Sequence, residues 1–147
     1  MNRRHFSLAA LAVLGIPVQA KTAPVIDVYK SATCGCCGVW VKHLQANGFT
    51  VRAHDVPDPS VYRDKAGIPA SLGSCHTGLI QGYAIEGHVP AADIHRLLAK
   101  KPKARGLAVP EMPMGSPGME GPRKDPYDVL LVLSNGTTSV FQRYNQE

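Results

Sequence analysis

Residues 25–47 read VIDVYKSATCGCCGVWVKHLQAN, and this stretch decides the fold. Its first five residues are mostly β-branched or aromatic, which predicts a β-strand over 25–29. Apolar residues then recur at helical spacing from Cys37 to Leu44, which predicts a helix over about 36–47 with Gly48 as its C-terminal cap. The CGCCG run therefore lies where a strand meets the start of a helix.

The alternation of strands and helices continues to residue 99. We expect further strands over 49–55, 75–80 and 83–87, a short helix that ends at Ala66, and a longer helix over 90–99. A helix crossing between the first two strands makes them parallel, whereas a tight turn at Gln81-Gly82 makes the last two antiparallel. The order βαβαββα predicts an α/β protein with a thioredoxin-like mixed sheet.

The composition changes after residue 100. Residues 102–126 are rich in proline and glycine, and the chain then ends in a predicted β-hairpin over 129–133 and 138–143, turned by Asn135-Gly136. We therefore expect a thioredoxin-like domain over 25–100 and a C-terminal extension over 101–147 that ends in the hairpin.

The first twenty residues are typical of an export signal. Arg3 and Arg4 precede an apolar run over 6–16 and small residues at 18–20, so we expect residues 1–20 to be removed, by the twin-arginine or the general route. No segment approaches the about 20 apolar residues that span a bilayer, so we expect no membrane span. The net charge is +5, but no aromatic residues interleave with the basic ones, so nucleic acid is not an expected partner.

Three of the four cysteines are Cys34, Cys36 and Cys37, and the fourth is Cys75. Thiols at a helix N-terminus lie near the positive end of the helix dipole, which favours thiolates and hence metal binding or redox chemistry. Cys34 and Cys37 form a C-x-x-C pair, and Cys36 is an extra thiol that a dithiol oxidoreductase does not need. Four thiolates suit Cu(I), zinc or an iron–sulfur cluster, and a pair of structural disulfides is the alternative.

The predicted hairpin brings a histidine to Cys75. If Gln81 and Gly82 are the only turn residues, counting outward along both strands places Cys75 opposite His88 on the same face of the sheet. His76 would then point to the other face. A histidine that merely caps the following helix is the alternative for His88. We expect no site role for the remaining histidines, His5, His43, His54 and His95.

The proline- and glycine-rich segment contains three methionines, Met112, Met114 and Met119. Thioethers are good ligands for Cu(I) and poor ligands for zinc, so these residues favour copper over zinc. Methionine also fills irregular gaps between elements, so packing is the alternative explanation.

Several of these motifs together resemble the periplasmic CopG copper-resistance family. The motifs are CGCCG at 34–38, SCHT at 74–77, EGHVP at 86–90, and the segment from GLAVP at 106–110 through MPMGSPGM at 112–119. The resemblance implies a thioredoxin-like domain with a metal-binding extension in a periplasmic protein. It also implies interconversion of Cu(I) and Cu(II), with copper ions and copper-efflux components as partners.

The resemblance further implies which residues act on copper, which is bound as one or several ions. It assigns catalytic roles to Cys34, Cys36 and Cys37, and copper ligation to Cys34, Cys36, Cys37, Cys75, His88, Met112, Met114 and Met119. Three functions remain open at this point: a copper oxidoreductase, a non-catalytic copper store or chaperone, and a metal-free thiol–disulfide oxidoreductase. In the last, Cys34 would be the nucleophile and Cys37 the resolving thiol.

Overall fold

The computed structural model describes residues 22–146, so the predicted export signal lies outside the described residues. One sheet contains seven strands in the order β2-β1-β3-β4-β5-β6-β7. The strands are β1 (Val25–Lys30), β2 (Thr50–Asp55), β3 (His76–Ile80), β4 (Tyr83–Glu86), β5 (Ala104–Ala108), β6 (Tyr127–Leu133) and β7 (Thr138–Tyr144). The helices are α1 (Gly35–Ala46), α2 (Ser60–Lys65) and α3 (Ala91–Lys100), with a short 3-10 helix at Ala70–Leu72.

The β1–α1 unit forms as its sequence pattern predicts. In β1, Ile26 and Val28 are fully buried, as the alternation of a strand requires. In α1, Trp40 and Leu44 are fully buried one helical turn apart and pack into the same core. The helix is followed by Gly48, whose φ of +86° is a conformation that glycine adopts at low cost.

The predicted pairing of the first four strands is confirmed. β1 is parallel to β2 and antiparallel to β3, and β3 and β4 form an antiparallel hairpin in which Ile80 faces Tyr83. Gln81 and Gly82 are the turn residues, and both have positive φ, as a two-residue hairpin turn requires. The molecule has the thioredoxin-like α/β fold.

The C-terminal extension continues the same sheet through a strand that the sequence pattern did not reveal. β5 lies parallel to β4 and antiparallel to β6. Its sequence, ARGLA, lacks a clear alternation, and Gly106 is required because a Cβ there would lie 1.8 Å from the carbonyl oxygen of Ala84. The terminal hairpin forms as predicted, with β6 beginning at Tyr127, two residues before the expected start.

Helix α3 holds the terminal hairpin against the rest of the fold. Asp93 is buried and accepts hydrogen bonds from the Tyr144 hydroxyl at 2.6 Å and from Arg96 at 2.9 Å. The first N–H of α3, at Ala91, donates to Nε2 of His43 at 3.0 Å, so His43 caps this helix. Among residues 22–146, no helix combines the length and apolar character needed to cross a membrane.

Candidate metal centre

One end of the sheet gathers residues from four distant parts of the chain. β1, β4 and β5 run in one direction and β3 runs in the opposite one, so three carboxyl ends and one amino end share an edge. Cys34 follows β1, Cys75 precedes β3, His88 follows β4, and Met112 follows β5. The fold thus brings together side chains that are up to 78 positions apart, from 34 to 112.

The four cysteine sulfurs form one cluster, with all four Sγ atoms within 4.8 Å of one another. Cys36 Sγ lies 3.5 Å from Cys34 Sγ and 3.9 Å from Cys75 Sγ. Cys75 Sγ lies 3.4 Å from Cys37 Sγ. Sulfurs at these separations are close enough to share a metal ion or to exchange disulfides.

Two of these cysteines are joined in a disulfide. It links Cys34 and Cys37, the predicted C-x-x-C pair, while Cys36 and Cys75 are free. The four cysteines therefore form one disulfide and not the two structural disulfides that were the alternative. Cys37 is fully buried, whereas Cys34 remains partly accessible, so Cys34 is the sulfur that solvent and small thiols reach first.

Cys75 is one of the two free thiols, and it is partly buried. Burial, followed by the charge of the neighbouring Cys36 thiolate, raises the pKa of the Cys75 thiol to about 12. In the absence of a metal ion Cys75 is therefore protonated at neutral pH. A bound cation would displace this proton, because thiols ligate as thiolates.

His88 lies beside Cys75, where the hairpin register predicts it. Its Nε2 is 3.3 Å from Cys75 Sγ. Its Nδ1 is 2.8 Å from the carbonyl oxygen of Pro117, and because a carbonyl only accepts, Nδ1 carries the proton. The hydrogen bond to the loop thus orients the Nε2 lone pair toward the sulfur.

His76 also faces Cys75, and the prediction that it points to the other face of the sheet was wrong. Its Nδ1 is 3.4 Å from Cys75 Sγ, and its ring lies 4.3 Å from the Trp40 ring. The reason is that β3 begins at His76, so Cys75 lies in a bend where the alternation of strand side chains no longer applies. Burial lowers the pKa of both His76 and His88, so both rings are neutral at neutral pH.

Glu86 holds the segments on both sides of Cys75, a role that nothing in the sequence revealed. One carboxyl oxygen accepts from the backbone N–H of Ser74 at 2.7 Å, and the other accepts from the Thr77 hydroxyl at 2.7 Å. Glu86 is 1% exposed, and burial raises its pKa. Its two hydrogen bonds fix the backbone that carries Cys75 and His76.

The three loop methionines occupy different positions. Met112 Sδ lies 3.9 Å from Cys36 Sγ, and this side chain is 47% exposed at the mouth of the cluster. Met114 instead packs its sulfur over Gly121, where an added Cβ would lie 2.6 Å from it. Met119 is held by its backbone, which donates to Ser116 and accepts from Gly115. Met112 is therefore the methionine that the fold brings to the cysteines.

The loop lies so close to Cys36 and His88 at Gly118 that there is no room for a side chain. A Cβ there would lie 2.9 Å from the carbonyl oxygen of Cys36 and 3.0 Å from His88 Nδ1. The φ of Gly118 is +93°, a second reason for glycine at this position. The backbone of the loop at Gly118 therefore lies close to the start of α1.

The chain was compared with known proteins. A family model described as "Protein of unknown function, DUF411" matches residues 72–119, which include Cys75, His88 and Met112. None of the curated proteins compared matches the chain. Solved structures described as "Copper resistance protein copG- Form 2" and "Copper resistance protein copG- Form 1" are 51% and 50% identical to it.

These two matches cover 82% and 84% of this chain and 98% and 99% of theirs, with a TM-score of 0.79 in both cases. The chain belongs to the copper resistance protein CopG family. Membership confirms the family resemblance drawn from the CGCCG run and the methionine loop. The CopG relatives are also similar in fold over nearly their whole length.

Proposed function

We propose that this CopG-family protein binds copper in the periplasm, as part of copper resistance, and interconverts Cu(I) and Cu(II) at its cysteine cluster. The observation that carries the proposal is the set of four sulfurs within 4.8 Å of one another, two of them a closed disulfide and two of them free thiols. In this set the Cys34–Cys37 pair can be oxidised and reduced, and the free thiols of Cys36 and Cys75 beside it can ligate a metal ion.

The donor atoms favour copper over zinc. Thiolates bind both metals well, but a thioether is a good ligand for Cu(I) and a poor one for zinc. Met112 Sδ adjoins Cys36 Sγ at the accessible side of the cluster. We assign Cu(I) ligation to Cys34, Cys36, Cys37 and Cys75 in the reduced protein, with Met112 and His88 at the periphery. Met114 and Met119 remain weaker assignments.

The Cys34–Cys37 pair supplies the electrons in this proposal. When the two thiols close into a disulfide they release two electrons and two protons, which reduces two Cu(II) ions to two Cu(I) ions. Cys36 and Cys75 are not oxidised in this step and hold the copper as thiolates while the pair closes. In the reverse direction two Cu(I) ions give up two electrons, the disulfide opens, and two protons are taken up.

Because of the predicted export signal, we propose that this chemistry takes place outside the cytoplasm and that copper-efflux components receive the Cu(I) product. A metal-free thiol–disulfide oxidoreductase is the second candidate, and the Cys34–Cys37 disulfide at the start of α1 favours it. That candidate leaves Cys36 and Cys75 without a role. A copper store or chaperone would use the same ligands without changing the oxidation state of copper.

The test is to mix fully reduced protein with Cu(II) in the absence of oxygen. We expect two Cu(I) ions for each disulfide formed, and peptide mapping should locate that disulfide between Cys34 and Cys37. A store would leave Cu(II) unreduced. If the thiols lost were Cys36 and Cys75 instead, the assigned division between redox pair and ligands would be wrong.

A further inference from the structure

A cavity of about 430 Å³ lies at the end of the sheet opposite to the cysteine cluster. It is bounded by α2, by the turn between β3 and β4, and by the start of β5. Its lining includes Leu79 and Ala84, which belong to a second, smaller apolar cluster that contains no residue of α1. Sites for small molecules typically have volumes of about 300–1,000 Å³. The cavity is therefore large enough for a small organic ligand.

The aromatic walls of this cavity are held in place by contacts outside it. The Tyr62 ring is stacked on the Tyr29 ring, with the two centroids 3.7 Å apart. The Tyr83 hydroxyl donates to the carbonyl oxygen of Pro102 at 2.7 Å. Both rings are thus fixed before a ligand binds, and a preformed site avoids the entropy cost of ordering side chains on binding.

Arg105 also lines the cavity, and its guanidinium group is held in one position. Its Nη1 donates to the carbonyl oxygen of Gly67. A Cβ added at Gly67 would lie 3.1 Å from Nη1, and one added at Gly136 would lie 3.6 Å from it, so the group packs against two glycines. Residues 22–146 provide no hydrogen-bond acceptor for Nε or Nη2. These two nitrogens form an edge that can bind a carboxylate through two parallel hydrogen bonds.

The charge of the lining is positive. Lys65 is the second cation, and its Nζ lies 5.7 Å from the centroid of the Tyr62 ring. No acidic residue lines the cavity, and Asp64, the acid next to Lys65 in the sequence, pairs with Arg63 instead. In the described part of the chain, neither Lys65 nor Arg105 forms an ion pair. An anion would therefore supply a partner to both cations.

We propose that this cavity binds a small organic carboxylate whose apolar body is one or two fused rings. Arg105 holds the carboxylate through its free edge, and Lys65 adds positive charge at the rim. The apolar body packs against Tyr62, Tyr83 and Leu79. The site goes beyond the copper chemistry proposed above, because it shares no residue with the cysteine cluster.

The test titrates three probes into wild-type protein without added copper and follows the backbone amide signals by NMR. Indole-3-acetate should shift the amides of Ala66, Gly82 and Ala84 in a saturable way. Tryptamine has the same rings and the opposite charge, and acetate has the charge without the rings. Each of these two should bind at least about tenfold more weakly than indole-3-acetate.

Two variants test the cations. Arg105→Gln should lower the affinity for indole-3-acetate by at least about tenfold, because it removes a charged hydrogen-bond donor. Lys65→Glu should lower it by at least about threefold, a smaller effect because Lys65 is exposed. Lys103→Glu is the matched control, because Lys103 is an exposed lysine that does not line the cavity, and it should leave the affinity unchanged.

Equal affinity for tryptamine or for acetate would overturn the proposal, and so would amide shifts confined to the surroundings of Cys75 and His88. The exposed position of Lys65 keeps the proposal falsifiable if Arg105→Gln fails to fold, since unchanged affinity in Lys65→Glu protein would overturn it as well. The proposed copper function fails separately, if reduced protein leaves Cu(II) unreduced. Each failure is therefore seen with a different ligand and by a different readout.

Discussion

Two sulfur-bearing regions meet at the same end of the sheet, and they are positioned by different means. The cysteines are set by regular structure: Cys36 and Cys37 lie in the first turn of α1, and Cys75 directly precedes β3. The loop over 112–119 is set by turns of its own, such as the bond from Met119 N–H to the Ser116 carbonyl at 2.8 Å. The positions of the cysteines are thus fixed by the sheet and by α1, whereas the position of the loop depends on its own turns.

The comparison also shows how the loop influences the cluster. The carbonyl oxygen of Pro117 lies 2.8 Å from His88 Nδ1, and the next residue, Gly118, is so close to α1 that an added Cβ would lie 2.9 Å from the Cys36 carbonyl oxygen. The sulfur of Met112 lies 3.9 Å from Cys36 Sγ. We infer that the loop acts mainly by orienting His88, and that its methionine sulfurs contribute less to affinity than the cysteines.

Removing a central cysteine should have the largest effect. Cys36→Ser should lower the Cu(I) affinity of the reduced protein by more than about 100-fold, because even outer-shell partners of a metal cost about 10–100-fold. Disulfide exchange at Cys34 and Cys37 should survive. Competition with a Cu(I) chelator measures the first and a disulfide reductase assay the second.

Thr33→Ala, in the exposed turn before the cluster, is the control for Cys36→Ser and should change neither property. Circular dichroism of the metal-free variants checks folding, since a buried hydroxyl without a partner costs about 1–3 kcal/mol. If folded Cys36→Ser protein bound copper with wild-type affinity, the copper mechanism would be contradicted, and metal-free thiol–disulfide exchange would be the better account.

Glu86→Ala tests whether copper binding at Cys75 depends on the buried carboxylate that holds the segments on both sides of it. The change leaves the Ser74 N–H and the Thr77 hydroxyl without partners, so the free energy of unfolding should fall by about 2–4 kcal/mol. Copper affinity should fall by about 10–100-fold, as for other residues that orient metal ligands. Glu86→Gln should restore part of both, and Glu111→Gln, at an exposed position, should change neither. If the wild type and all three variants had equal copper affinity, the proposed positioning role of Glu86 would be contradicted.

Gly118→Ala tests the contact between the two regions. The new Cβ would meet Cys36 and His88 and force the loop away, so copper affinity should fall, by less than in Glu86→Ala. Gly82→Ala is the matched control, because Gly82 also has positive φ, of 84°, but has open space around it. Both variants should lose about 1–2 kcal/mol of stability from the strained backbone, measured by urea unfolding. Retained affinity in Gly118→Ala would show that the loop does not influence the cluster.

Met112→Leu should have the smallest effect. Leucine keeps a similar volume without the sulfur, so stability should be unchanged and Cu(I) affinity should fall by about tenfold at most, equivalent to about 1.4 kcal/mol. Met114→Leu is the control, because its sulfur packs over Gly121. The result that would reverse our ranking is a larger loss from Met114→Leu than from Met112→Leu.

Local patterns made much of the fold and part of the site predictable. The Gln81-Gly82 turn fixes the hairpin register, and counting outward along that register predicted that His88 lies beside Cys75. The position of Cys34, Cys36 and Cys37 at the start of a helix followed from the apolar spacing of α1.

Other features depend on tertiary contacts that no local pattern carries. The orientation of His76 was mispredicted because the strand begins one residue later than expected. β5 was missed because Gly106 breaks its alternation, although the close approach to Ala84 requires it. The role of Glu86 was not predictable because its hydrogen bonds join residues that are distant in sequence. The different positions of Met112 and Met114 were not predictable because they depend on the turns of the folded loop.

The most direct test of copper specificity is a metal competition in the reduced wild-type protein. All four cysteines are then thiols, and Cu(I) is added without oxygen to protein that has first been loaded with zinc. Because thiolates together with the Met112 thioether suit Cu(I) better than zinc, we predict that Cu(I) displaces zinc completely and that elemental analysis finds copper alone. Stoichiometric zinc that persists in the presence of excess Cu(I) would contradict the assignment of this cluster to copper.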